Sequence, residues 1–255
     1  MPYKDVNDGA YMSQFETVTE IPGSEVADHT LIMNYTRYDY AKKFCIDKKV
    51  LEIGCGGGQG LGFLSKVANH VTGLDVDENV LKEAKKHYNG REDVDIFCAD
   101  ASDLPFEDDS YDVIIIFEAI YYFPDFSKVL KECRRVLRDG GKFIFCSVNP
   151  CWHGFNPSPF SVKYYTMEET VQILSREGFS APNFSMAFYD SADTLLAKLK
   201  VFAVKYNLIP GTMKAKKYLK RIIYGELKKY PHEIQEGDHQ SEELVEVSAN
   251  MSSEN

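Results

Sequence analysis

Val50-Leu51-Glu52-Ile53-Gly54-Cys55-Gly56-Gly57-Gly58 is the stretch whose reading decides the fold. Its aliphatic, β-branched start predicts a strand over 49–54, and the pattern after it predicts a helix from about Gly58 to Ala68. The glycines between them let the chain reverse sharply and let a ligand approach the backbone with no Cβ atoms in the way. A strand, a glycine turn and a helix in that order form a nucleotide-binding turn.

Outward from this stretch the pattern alternates. Strands are predicted at Val71–Asp75, Val94–Cys98, Tyr111–Phe117 and 142–148, the third buried on both faces by its run of Val and Ile. Helices are predicted at Glu78–His87, capped by Asp77, at 126–137, ended by Asp139-Gly140-Gly141, and at 167–177, stopped by Gly178. Regular β-α alternation argues for a mostly parallel sheet with helices on both faces. A sixth strand is expected at 183–189 and a last edge strand at 244–247. Before the core, a helix from about Ala27 to Phe44 begins with Asp28 as a candidate cap. After it, Leu195, Leu196, Leu199, Phe202, Ala203 and Tyr206 share a helical face over 192–206. Pro210-Gly211 breaks the pattern, and 213–224 resumes as a basic helix. The division is an N-terminal helical cap over 1–47, a core over 48–190, and a helical, acceptor-side extension over 191–255 that ends in a flexible tail.

Composition narrows the class. In 255 residues, 44% apolar and 13% aromatic side chains suffice for one large packed domain. A net charge of -10, from 39 acidic and 29 basic residues, disfavours nucleic acid as the main partner. The six cysteines form no C-x-x-C pair and no zinc pattern with a histidine, so no metal is expected. Cys55, Cys98 and Cys146 lie in or beside apolar runs and read as reduced, buried thiols. The beginning of the chain lacks the apolar core of a signal peptide, and no run is long enough to span a bilayer. A cytoplasmic location is the expectation.

The glycine turn restricts its ligand. G-x-G-x-x-G fails, because the third position is Gln59 counted from Gly54 and Leu61 counted from Gly56. No Gly-Lys-Ser/Thr follows, so a P-loop fails as well. What stands is Glu-x-Gly-x-Gly-x-Gly, built from Glu52, Gly54, Gly56 and Gly58. A carboxylate there repels pyrophosphate but can accept a bond from an ammonium group, and S-adenosylmethionine carries an ammonium and a sulfonium without phosphate. Asp75, at the end of the second strand, can accept both ribose hydroxyls of an adenosine, with Val76 beside it. Asp100 follows the third strand at the same sheet edge and can accept from the adenine amino group, while Ala101 offers its backbone N–H.

Four stretches in this order carry a family resemblance: Val50–Gly58, Leu74-Asp75, Ala99–Phe106 and Phe117–Asp125, with Leu137–Lys142 as the turn before the fifth strand. Together they resemble the class I methyltransferases of the UbiE-like branch over about residues 45–190. The resemblance implies a Rossmann-like, seven-stranded sheet with its last strand antiparallel, and S-adenosylmethionine as methyl donor. A weaker likeness, over 155–161 and 208–214, points to methyltransferases of polysaccharide or natural-product biosynthesis.

Methyl transfer requires the acceptor held in line with an already activated carbon, and a proton removed where the acceptor is a poor nucleophile. Many members of the family carry a histidine where Tyr122 stands, so Tyr122 is a candidate for orienting the acceptor. Glu118 and Phe117 end the fourth strand at the cleft, Glu118 against cofactor or acceptor and Phe117 against the cofactor. His153 follows the fifth strand on the acceptor side. Tyr11, Tyr35 and Arg37 come from the segment that closes over the methionine end in relatives, and Arg37 is the candidate partner of the donor carboxylate. Lys214, Lys216, Lys217, Lys220 and Arg221 form either a solvated face or a contact for an anionic, nucleotide-linked acceptor.

The leading expectation is therefore a small-molecule methyltransferase acting on a sugar or secondary metabolite, with oligomerisation open. A quinone-ring methylase and a non-catalytic S-adenosylmethionine-binding module are the alternatives.

Overall fold

Strand residues facing alternately to two sides explain the layering. Val50, Val71, Val113 and Ile115 point into one apolar cluster with Leu61, Phe63, Leu64, Leu81 and Ala84. Leu51, Ile53, Leu74, Ile114 and Ile116 point into a second with Phe126, Val129, Leu130, Cys133 and Val136. Period-two side chains that are apolar on both faces require cover on both faces. The computed structural model describes residues 15, 18–152, 155–186 and 226–247.

The principal elements in chain order are α1 (Asp28–Cys45), β1 (Lys49–Ile53), α2 (Leu61–Ser65), β2 (His70–Asp75), α3 (Glu78–His87), β3 (Val94–Cys98), β4 (Tyr111–Phe117), α4 (Phe126–Val136), β5 (Leu137–Cys146), α5 (Met167–Arg176), β6 (Phe184–Met186) and β7 (Val245–Val247), besides a short antiparallel pair of Glu25–Val26 with Lys228–Lys229. The main sheet has five strands in the order β3-β2-β1-β4-β5. All four pairings within it are parallel. This is the expected Rossmann-like α/β fold. Of the seven strands expected, five lie in this sheet among the described residues. β6 pairs with β7 antiparallel in a ladder of its own.

Local chemistry sets the ends of the elements. The Asp77 carboxylate accepts from Asn79 N at 2.9 Å and starts α3, as the sequence predicts. Asp125 caps α4, whose Phe126, Val129, Leu130, Cys133 and Val136 fall on one buried stripe. Thr166 and Glu169 close a reciprocal capping box on α5, and Phe179 N reaches back to Leu174 O past Gly178, whose φ is +83°.

Three local expectations are corrected. Ala27, not Asp28, is the N-cap of α1, and Asp28 is paired with Lys228 instead. The helix after the glycine turn is shorter than predicted, because tight turns hold Gly58–Gly60 before it begins. Asp139-Gly140-Gly141 does not end α4. Leu137 already pairs with Tyr111, and the next pair in register is Lys142 with Val113, so residues 138–141 bulge out of the strand.

Cys98 is exposed rather than buried, since β3 is the open edge of the sheet; Cys55 is buried and Cys146 half-buried. The predicted segments 192–206 and 213–224 lie outside the described residues. Residues 226–247 return across α1 and the glycine turn: Gly23 N bonds Tyr230 O, and Ile234 N bonds Gln59 O at 2.9 Å. Among the described residues no helix is long and apolar enough to cross a membrane.

Candidate functional site

From β1 the chain moves outward through β2 to β3, whereas β4 lies on the other side of β1 and leads to β5. The strand order therefore reverses between β1 and β4. A crevice opens outside the carboxyl ends of the strands at such a point, and ligands of open α/β sheets bind there. Glu52, Asp75, Phe117 and Glu118 all lie at those ends.

Gly54 shows why the turn needs glycine. Its φ is +73°, and a Cβ there would stand 2.7 Å from the Ala119 Cβ of the turn after β4. Gly54 N and Cys55 N both donate to Leu74 O, and Gly56 N donates to Asp75 Oδ2 at 3.0 Å. Asp75 Oδ1 accepts from Asp77 N at 3.0 Å. Burial raises the Asp75 pKa, and the N–H bonds from Asp77 and Gly56 pull it back. Gly58 is held by a residue that sequence reasoning missed. The Tyr88 hydroxyl donates to Gly58 O at 2.7 Å and accepts from Gly62 N at 3.0 Å. Tyr88 directly follows α3, where helical periodicity assigns no role; its hydroxyl gave the only signal.

Glu52 is 1% exposed. Its Oε1 accepts from the Tyr38 hydroxyl of α1, and Oε2 has no partner. Burial pushes its pKa up to about 8, the Tyr38 bond opposing this and the Asp75 charge adding to it. The next residue back along α1, Arg37, donates through Nη2 to Glu118 Oε1 at 2.9 Å, while its buried Nε is unpartnered. Glu118 sits at φ +53°, a left-handed conformation that side-chain-bearing residues adopt at a cost. Its Oε2 accepts from the Tyr121 hydroxyl at 3.1 Å. Consecutive residues of α1 thus secure two carboxylates at the carboxyl ends of the two central strands.

Phe117 is half-buried and meets the Tyr38 ring edge-on at 5.2 Å. Val76 is half-buried beside Asp75. Asp100 is exposed and accepts from Ser102 N at 2.8 Å, which shapes its own turn, and Ala101 is buried. Tyr35 is drawn elsewhere, accepting from Gly237 N at 3.2 Å and packing against Phe63. His153, Tyr11 and the basic stretch 214–221 lie outside the described residues.

An aromatic wall continues from Glu118. Tyr121 stacks on Tyr164 with centroids 4.4 Å apart, Tyr164 meets Phe155 edge-on, and Phe15 meets Tyr122 edge-on. The Tyr122 hydroxyl donates to Ser158 Oγ at 2.8 Å, and Ser158 N donates to the Tyr164 hydroxyl. The chain before α1 covers the glycine turn: Gln59 Nε2 donates to Glu20 O, and a Cβ on Gly57 would come within 2.5 Å of Pro22.

Three buried side-chain polar atoms lack a partner among the described residues: Arg37 Nε, Glu52 Oε2 and Asp77 Oδ2. Buried polar groups are rarely left so. Arg37 and Glu52 are residues that the sequence assigns to the donor, Asp77 is two residues past Asp75, and together they offer one donor and two acceptors. That set suits the zwitterionic, hydroxyl-rich S-adenosylmethionine, so the residues present fit it.

Comparison with known proteins agrees. Residues 51–145 match the family model described as a methyltransferase domain. A probable S-adenosylmethionine-dependent methyltransferase of Mycolicibacterium smegmatis is 30% identical over 175 residues, 66% of each chain. A phthiotriol/phenolphthiotriol dimycocerosates methyltransferase of Mycobacterium ulcerans is 38% identical over 105 residues, 40% of this chain and 38% of that one. The match to these relatives thus spans under two thirds of their lengths. The YcgJ protein of Bacillus subtilis superposes with a TM-score of 0.54 at 20% identity, covering 72% of this chain and 88% of that one, which supports the fold. With its five parallel strands, its glycine turn at the point of reversal and these matches, the chain belongs to the class I S-adenosylmethionine-dependent methyltransferases.

Proposed function

We propose that this chain transfers a methyl group from S-adenosylmethionine to a hydroxyl of an apolar, secondary-metabolite type acceptor. The observation that supports the reading is that Glu52, Asp75, Phe117 and Glu118 all stand at the carboxyl ends of β1, β2 and β4, where the strand order reverses. Glu52 Oε2 and Arg37 Nε would hold the ammonium and carboxylate of the donor, Asp75 its ribose, and Asp100 with Ala101 its adenine. S-adenosylmethionine, when bound, supplies a methyl carbon activated by its sulfonium.

The remaining work belongs to the chain. Thr19–Pro22 over the glycine turn keeps water from the donor side. Tyr122 and Ser158, already bonded to each other, present hydroxyls that can orient an acceptor. Glu118 is the carboxylate available to take the acceptor's proton, and Arg37 and Tyr121 fix where it points.

The acceptor class follows from the wall beside Glu118. Among the described residues its surfaces are rings, Phe15, Tyr121, Tyr122, Phe155 and Tyr164, and its polar groups are hydroxyls and the Glu118 carboxylate paired with Arg37. That lining favours an apolar alcohol or phenol over a nucleotide-linked sugar, whose phosphates would call for free cations. The mycobacterial relative named for phthiotriol and phenolphthiotriol dimycocerosates supports the same direction.

Calorimetry with S-adenosylmethionine and with NADH tests the donor, and saturable binding of NADH alone overturns the reading. A methyl-transfer screen over long-chain alcohols, phenols, quinols and nucleotide sugars tests the acceptor. Turnover confined to nucleotide sugars refutes the apolar class while leaving the donor site intact.

A further inference from the structure

Tyr38 belongs to no motif that points to the donor, yet it touches three segments that do. Its hydroxyl donates to Glu52 Oε1. Its ring fills the space beside Gly60, where a Cβ would fall 1.8 Å from the ring carbon Cε1. Its edge meets Phe117 at 5.2 Å. The side chain is 5% exposed, so these contacts are fixed by packing.

We propose that Tyr38 is a positioning residue of the donor site, whose hydroxyl occupies one oxygen of Glu52 so that the other stays oriented and ready for the donor's ammonium group. This rests on the reading of Glu52 given above. A carboxylate with both oxygens free rotates about its last torsion, whereas one anchored by a hydroxyl presents a single remaining acceptor in a set direction. The same bond also favours the ionised carboxylate, opposing the burial that raises its pKa.

Other groups facing Glu52 are Cys45 of α1, Cys55 of the glycine turn, Asp75 of β2, Tyr88 after α3, and Tyr230 of the returning segment. Burial pushes the Cys45 thiol up to about 12 and the Cys55 thiol and both tyrosines upward. Glu52 is the carboxyl of this set whose pKa is pushed up to about 8, and burial raises that of Asp75 as well.

The test measures binding of S-adenosylhomocysteine, which keeps the amino acid end, by calorimetry between about pH 6.5 and pH 9. Tyr38→Phe retains the ring and removes only the hydroxyl. Its affinity should fall about tenfold at the low end, one pKa unit's worth, and the deficit should shrink as pH rises and Glu52 ionises in both proteins. Glu52→Gln should also weaken binding, most at the high end. The unmodified chain should release about one proton per ligand near pH 6.5, read from buffers of different ionisation enthalpy.

A Tyr38→Phe protein that binds as the parent does at every pH overturns the positioning role while a weakened Glu52→Gln leaves the donor site standing; a deficit equal at every pH supports orientation and overturns the effect on ionisation. If Glu52→Gln also binds as the parent does, the reading of Glu52 falls, and the role of Tyr38 with it.

Discussion

Replacing Glu52 by glutamine should make the unliganded protein more stable, and by more as pH rises. Glu52 is 1% exposed, and burial holds its pKa at about 8 in the folded chain against an ordinary value of 4.5. The folded state thus binds the proton more tightly than the unfolded state does. The stability linked to that proton is fully present below about pH 4.5 and is lost progressively until pH passes about 8. The interval of about 3.5 units sets a ceiling near 5 kcal/mol at 1.36 kcal/mol per unit. Relaxation and water entry around a buried charge reduce such penalties, so about 2–4 kcal/mol is the expected span. Glutamine keeps the volume, keeps an oxygen for the Tyr38 hydroxyl and cannot ionise.

Urea unfolding followed by circular dichroism at about pH 5 and pH 8.5 supplies the measurement, since other titrating groups are shared and cancel between the two proteins. The gap between variant and parent should widen across that interval. A gap that stays constant to within about 0.5 kcal/mol would falsify the assignment of Glu52 as a buried, mostly protonated carboxyl in the unliganded state.

Gly54→Ala forces a side chain into φ +73° and sets a Cβ 2.7 Å from that of Ala119. It should cost about 1–2 kcal/mol in strain alone and weaken donor binding, and an unchanged melting temperature and affinity would count against the close approach of the two turns. Tyr88→Phe removes the hydroxyl that links Gly58 O to Gly62 N, leaving Gly62 N buried and unpaired while Gly58 O keeps its bond from Leu61 N. Urea unfolding should register a loss of about 1–3 kcal/mol. Glu118→Gln should lower kcat by about a hundredfold while donor affinity, measured by calorimetry, stays within about threefold. A collapse of donor affinity with kcat preserved would move Glu118 from the acceptor side to the donor side.

Much of the architecture was legible because local chemistry repeats along the chain. The Val and Ile run of β4 announced a strand covered on both faces, and Asp77 announced the start of α3. The spacing Glu52, Gly54, Gly56, Gly58 excludes pyrophosphate cofactors from the sequence alone. Local rules failed where a tertiary partner outbid them. Asp28 was free to cap α1, but Lys228, brought over by the returning segment, takes its carboxylate. Asp139-Gly140-Gly141 has the composition of a helix stop, yet Leu137 enters the sheet beside Tyr111 and turns it into a bulge. Cys98 reads as apolar-flanked and buried, but strand order puts β3 at an open edge.

By itself, then, the sequence determined the alternation of strands and helices, the glycine turn and the class of its ligand, since each depends on residues within a few positions of one another. The tertiary structure alone decided which side chain each carboxylate meets. Arg37 meets Glu118 across 81 residues, Tyr38 meets Glu52 across 14 and Tyr88 meets Gly58 across 30. Such pairs form only when helices pack onto the sheet in a set register, which no local period encodes. The glycine turn could be read as a donor site from its spelling, but the side chains that bond its Glu52 and its Gly58 are set by how α1 and α3 lie against β1.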